Sequence, residues 1–169
     1  MPRRLVRAVV PLLTLLALGA CATGAHSGAS GTGGAPIRVT TGFYPLTYVV
    51  TEVGGHQVEL TTLTKPGAEP HELELTPQDV AGLSAAGLVV TLGGFQPAVD
   101  TAVQQQAADR SLDVAAAAGL DLEAPAAQDG EHTDADHQGK DPHFWLDPVR
   151  YAAVGRAVAD RLASLDPAH

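Results

Sequence analysis

His71 and His143 share a local pattern that separates them from the other histidines of the chain. Each is followed within a few residues by a side chain that can cap a helix and then by proline: Thr76-Pro77 after the first, Asp147-Pro148 after the second. A capping side chain with proline at the first helical position marks a helix start, so both imidazoles lie on loops that lead into helices. Neutral imidazole is a good ligand for borderline divalent ions such as zinc. Two imidazoles on converging loops could hold one metal ion, or both could be hydrogen-bonded loop histidines; spacing alone leaves the two readings open. His26, His56 and His169 have no such context and read as surface residues. Cys21 is the only cysteine, which excludes an intramolecular disulfide and a thiolate-rich metal site.

The elements that would position these loops follow from hydrophobic period. Ile37 to Phe43 alternates and reads as a strand. Pro45 to Val53 has helical spacing, with Leu46, Val49, Val50 and Val53 on one face, and Gly54-Gly55 ends it. Gln57 to Leu63 alternates again, with Val58, Leu60 and Thr62 on one side. Thr76-Pro77-Gln78-Asp79 opens a helix to about Ala86. Leu88 to Leu92 is a short apolar run between glycines, the pattern of a strand buried on both faces of a parallel sheet. A helix over Pro97 to Ala108 and a short strand over Ser111 to Val114 follow. Val149 to Leu165 predicts an amphipathic helix with Val149, Ala153, Ala157 or Val158, Leu162 and Leu165 along its stripe. Strands alternating with helices predict an α/β fold, an open parallel sheet with flanking helices. Ligands in such sheets sit at the carboxyl ends of the strands, where both histidine loops fall.

The flanks carry a different kind of information. Residues 1–20 join a basic start (Arg3, Arg4, Arg7) to an apolar stretch too short to span a bilayer, and read as a signal peptide. Leu18-Gly19-Ala20-Cys21 resembles the lipobox of bacterial lipoproteins, which implies lipidation of Cys21 and anchoring to the membrane surface by acyl chains. Residues 21–35 are then a lipidated cysteine and a Gly/Ala/Ser/Thr tether. Without the three leader arginines, seven basic residues remain against nineteen acidic ones, a balance of −12 that argues against nucleic acid as a partner and mildly favours cations. Asp121 to Asp141 has no apolar period and reads as a surface loop. Its centre, 128–140, carries Glu131, His132, Asp134, Asp136 and His137, which together could gather zinc weakly; a solvated acidic loop is the alternative.

Longer motifs give these features a family. Lys65-Pro66-Gly67-Ala68-Glu69-Pro70-His71-Glu72, followed by Leu75-Thr76-Pro77-Gln78-Asp79, resembles the first metal-ligand motif of the zinc- and manganese-type solute-binding proteins of ABC importers. Phe43-Tyr44-Pro45-Leu46 resembles the segment that closes their first strand, and Asp141-Pro142-His143-Phe144-Trp145-Leu146-Asp147-Pro148 their second ligand motif. With the intervening pattern the likeness covers Ile37 to His169. It implies that His71 and His143 are metal ligands, and that 36–148 is the N-terminal metal-binding lobe of a two-lobed fold. Residues 149–169 would be the start of the helix joining the lobes. The second lobe, which in the family gives a third histidine and an acidic ligand, is missing from this sequence. Gly94-Phe95-Gln96-Pro97 departs from the family, standing where many relatives carry a glutamate and a tryptophan. The acidic loop has a counterpart in zinc-specific relatives and tilts the ion toward Zn²⁺, with Mn²⁺ as the alternative.

The function implied is extracytoplasmic capture of a transition metal ion and its delivery to a membrane permease. An alternative is a truncated half-protein that buffers zinc. A secreted zinc hydrolase would need a His-Glu-x-x-His helix or an equivalent base; His71-Glu72 lacks the second histidine, and neither a Gly-x-Ser-x-Gly elbow nor a phosphate-binding glycine loop occurs, so no enzyme is expected. Some relatives are named adhesins, but no residue pattern argues for adhesion. Zinc prefers about four ligands, so two histidines leave places for water, a loop carboxylate, His132 or His137, or a second chain. Binding should weaken below roughly pH 6 as imidazole protonates.

Overall fold

In a computed structural model, residues 34–120 and 141–168 are described. The signal segment, Cys21, most of the tether and the acidic loop with Glu131, His132, Asp134, Asp136 and His137 lie outside these residues.

The strands are β1 (Ile37–Thr41), β2 (Val58–Thr62), β3 (Leu88–Thr91) and β4 (Ser111–Asp113). They form one parallel sheet in the order β2-β1-β3-β4, with Val39 opposite both Leu60 and Leu88. Helices α1 (Tyr44–Gly54), α2 (Pro77–Ala85), α3 (Pro97–Gln106) and α4 (Pro148–Leu165) flank it. The expected open parallel α/β sheet is therefore present, each predicted element lying within a few residues of its place. The α3 segment is shorter than its sequence pattern: it ends at Gln106, and a 3-10 turn over Ala108–Arg110 leads into β4.

Two apolar cores sit on opposite faces of the sheet, and β3 feeds both. Leu88 and Val90 join Val39, Leu46, Val50, Phe144, Val154 and Val158 in one cluster. Val89, between them, joins Leu63, Leu83, Val99 and Val103 in the other. All of β3 is buried, as a central parallel strand requires. Each such Val or Leu contributes about 1.5–3 kcal/mol by leaving water.

Helix starts carry their signals in full. The Thr76 hydroxyl oxygen accepts from the Asp79 amide at 3.2 Å, while the Thr76 amide donates to the Asp79 carboxylate at 2.9 Å, a complete capping box. The hydrogen bond from the Thr76 side chain, with that from its amide, holds the Asp79 carboxyl below the ordinary aspartate range. At α4 the Asp147 carboxylate accepts from the amides of Val149 (2.8 Å) and Arg150 (3.3 Å). The end of α1 is set by Gly55, whose φ of +50° is a conformation that side chains other than glycine resist.

Two stripes differ from the sequence pattern. On α4 the buried residues are Val154, Val158 and Leu162, while Val149 (74% exposed) and Leu165 (39%) face solvent. α4 packs on α1 with Gly155 close to Val49, and the row it turns inward runs through Val154, Val158 and Leu162. On α1, Val53 is exposed and Gly54 takes the buried place next to the Val58 side chain. Among the described residues no helix is long and apolar enough to cross a membrane.

Candidate metal-binding cleft

The loops that leave β1, β2 and β3 at their carboxyl ends meet the segment before α4 around an open cleft of about 820 Å³. Phe43 enters it from the first loop and Pro45 from the first turn of α1, Thr64 to His71 from the second loop, Phe95 from the third, and His143 and Trp145 from the fourth segment. The structure thus brings His71 and His143 to the walls of one cleft. His56 lies elsewhere, exposed in the 3-10 turn that follows α1.

The floor between the histidines is aromatic. The His71 ring lies 4.4 Å from Phe95, Phe95 lies 4.5 Å from Phe43 and 6.3 Å from Trp145, and Trp145 lies 5.1 Å from His143. Phe43 and Phe95 are fully buried. Edge and tilted contacts of this kind favour one ring arrangement over others. An apolar floor with a few polar atoms aimed into it is the usual make-up of a small-ligand site.

Each histidine has an acidic neighbour two residues before it, used differently. The Asp141 carboxylate accepts from the His143 amide at 3.0 Å and faces ring Nδ1 at 2.8 Å. Burial pushes the Asp141 carboxyl up, but the bonds from the His143 amide and ring, with the charges of His143 and Arg150, outweigh it and hold the group below the ordinary range. A carboxylate at Nδ1 draws the ring proton there, leaving the Nε2 lone pair for a cation. At the other histidine, Glu69 accepts from the His71 amide at 3.3 Å and stands 3.9 Å from Nε2. Of the other nearby acids, Asp147 is used as the α4 cap and Glu72 is exposed.

The residue that sequence reasoning missed is Gln96, in the loop that departs from the family pattern. It is 3% exposed, and its Nε2 donates to the Thr64 hydroxyl at 3.0 Å and to the Pro70 carbonyl at 2.9 Å. The Thr64 hydroxyl in turn donates to the Gly42 carbonyl at 2.9 Å. Asp113 supports the same loop by accepting from the Gly93 amide at 2.8 Å, and Asp100 by accepting from Gly94 at 2.8 Å. Burial raises the Asp100 carboxyl, opposed by the Gly94 bond and reinforced by the charge of Asp113. Gly94, at φ +81°, needs to be glycine.

Among the described residues no group of three or more His, Cys, Asp and Glu side chains could hold a metal ion together. The two imidazoles that the sequence singled out line the cleft with Glu69 and Asp141 beside them.

Comparison with known proteins gives this cleft a family. Residues 39–169 match the model of the family described as ZnuA, zinc-uptake complex component A, periplasmic. The chain belongs to that family. It is 27% identical over 157 residues to the high-affinity zinc uptake system protein ZnuA of Bacillus subtilis, covering 90% of this chain and 49% of that protein. To the manganese ABC transporter substrate-binding lipoprotein PsaA of Streptococcus anginosus it is 26% identical, covering 99% of this chain and 53% of the relative. The periplasmic zinc-binding protein TroA of Treponema pallidum superposes with a TM-score of 0.60 at 27% identity, over 79% of this chain and 46% of that one. The chain spans about half the length of these two curated relatives. The family is one of metal-binding components of uptake systems rather than of enzymes.

Proposed function

We propose that this chain captures a transition metal ion outside the cytoplasmic membrane, with Zn²⁺ as its cargo, for delivery to an ABC importer permease. The reading rests above all on one observation: His71 and His143, carried by separate loops, line a single cleft at the carboxyl edge of the sheet. Their neutral imidazoles are the ligands. Asp141 orients the His143 ring through Nδ1 so that Nε2 can meet the ion. Phe43, Phe95 and Trp145 keep the floor apolar, which strengthens attraction between the ion and its few polar partners.

Two protein ligands leave a zinc ion with places still to fill. In this reading 36–148 forms the metal-binding lobe and 149–169 begins a connecting helix, so further ligands come from outside the described residues. The segment 128–140, with Glu131, His132, Asp134, Asp136 and His137, collects the ion at low affinity and raises its concentration near the cleft. Cys21 carries the lipid that holds the protein at the membrane surface after residues 1–20 are removed. Manganese, the ion named for one relative, prefers oxygen donors; the two imidazoles here favour zinc.

The test is calorimetric titration of the chain with Zn²⁺ and separately with Mn²⁺, beside His71→Ala and His143→Ala. Each replacement should cost zinc affinity by more than the roughly 10–100-fold usual for a neighbour of a ligand. Unchanged affinity in either variant removes that histidine from the site, and tighter binding of Mn²⁺ reverses the choice of ion.

A further inference from the structure

We infer that Gln96 is a positioning residue for His71, acting through the peptide bond that links Pro70 to it. This rests on His71 being a metal ligand, and it adds a group that never touches the ion.

Geometry carries the argument. The Pro70 carbonyl and the His71 amide belong to one planar unit. Its C=O accepts from Gln96 Nε2 at 2.9 Å, and its N–H donates to Glu69 at 3.3 Å, so the plane is held at both ends. Fixing that plane fixes the place of the His71 Cα and the direction of its N–Cα bond, and leaves φ as the backbone rotation that aims the side chain. Phe95, the residue before Gln96, then packs against the imidazole at 4.4 Å. Backbone and ring of the same histidine are thus both set by the two residues that precede α3.

The side of the carboxamide that faces these partners is determined by chemistry. Pro70 offers only a carbonyl, and Thr64 has committed its hydroxyl hydrogen to the Gly42 carbonyl, so both need a donor. Only the NH₂ group of Gln96 supplies two. Its oxygen lies against Gly42, at a place a Cβ on that residue would occupy. The chain Gln96–Thr64–Gly42 therefore ties together the loops that follow β1, β2 and β3. A buried polar network is stabilising when each member is satisfied, and loses that benefit when one donor is removed. Glu69, the other restraint on this peptide, has a side chain 60% exposed and is the weaker one.

The test compares Gln96→Leu, Thr64→Val and Thr64→Ser in the full chain, with Val103→Ala, in the other core, as a control for stability alone. Amide hydrogen exchange over residues 65–72 is measured without metal, and affinity is measured with Zn²⁺. Gln96→Leu and Thr64→Val should speed exchange in that loop and weaken zinc binding about tenfold, while Thr64→Ser restores both. Val103→Ala should lower Tm and leave zinc affinity unchanged. The inference is overturned if Gln96→Leu weakens zinc no more than Val103→Ala does, or if loop exchange is unmoved. If His71→Ala itself leaves zinc affinity intact, the metal-ligand reading fails instead, and the exchange data still report whether the tie holds the loop.

Discussion

The two histidines of the cleft are secured from opposite directions. His71 is held by its backbone: a buried carboxamide fixes the peptide before it, Phe95 packs on its ring, and its side chain is 22% exposed. His143 is held by its ring: Asp141, two residues earlier, takes Nδ1 directly, and the side chain is 47% exposed. One arrangement needs the core of the sheet and three loops distant in sequence. The other needs a single local turn and a carboxylate. A cleft assembled this way has one histidine whose place depends on folding and one whose orientation depends on charge.

The largest effect that would sharpen this contrast comes from Phe95→Ala. Removing a fully buried ring should cost about 3–5 kcal/mol in denaturant unfolding. Trp145→Ala, at a half-buried position beside His143, should cost clearly less. Equal costs would mean that both histidines lean on the core alike.

Next comes Asp141→Ala, expected to weaken zinc binding roughly 10–100-fold by freeing the imidazole to turn. Glu69→Ala, by removing an exposed and longer contact, should change it by at most about 1 kcal/mol. Calorimetry that finds the two equal would break the distinction between a ring held by charge and a ring held by backbone.

Thr76→Ala tests the helix start after the His71 loop and should cost about 1 kcal/mol in unfolding free energy. Its pH dependence has a definite sign. The Asp79 carboxyl is held below its unfolded value of 3.8, so its contribution is full above that value and is lost as pH falls through the folded one. Urea unfolding followed down through the carboxylate range should show that loss in the parent and a flatter curve in Thr76→Ala.

The smallest effect is that of Asp100→Asn. Burial raises this carboxyl, so the fold favours its protonated form and is held back slightly by the ionised one at neutral pH. The neutral amide should therefore raise thermal stability at neutral pH, by less than about 0.5 kcal/mol. A loss instead would show that the ionised carboxylate on the Gly94 amide matters more to the His71 side of the cleft than its burial costs.

Much of this was legible in the residues because the signals were local or periodic. Leu88 to Leu92 fitted a strand buried on both faces, and Thr76-Pro77 and Asp147-Pro148 announced helices that do begin there. The rule that ligands gather at strand carboxyl ends places His71 and His143 at one edge from sequence order alone. What escaped reading depends on packing between distant segments. Gln96 looks like any polar residue before a proline, and nothing in its neighbours reveals that it reaches Thr64 and Pro70, 32 and 26 residues away. The α4 stripe differs at Val149 for the same reason, since which of two adjacent apolar rows turns inward is decided by the packing of α4 on α1, a segment about a hundred residues away.

The division of the interior into two cores has a bearing on the order of assembly. The cluster of Leu63, Leu83, Val89, Val99 and Val103 is complete once the chain has passed α3. The other cluster needs Phe144, Val154, Val158 and Leu162, and the Tyr151 hydroxyl closes it by donating to the Pro45 carbonyl, 106 positions earlier, at 2.6 Å. Contacts so far apart in sequence form late, because a long loop must close before they return any free energy. A nascent chain should therefore emerge with one face of its sheet consolidated and the other bare until α4 arrives. Chains arrested near Gly119 should protect the amides of the sheet, with β1 held between β2 and β3, and of the first cluster from exchange, while those of α1 remain open. Early protection of α1 would mean that the bare face finds another cover first.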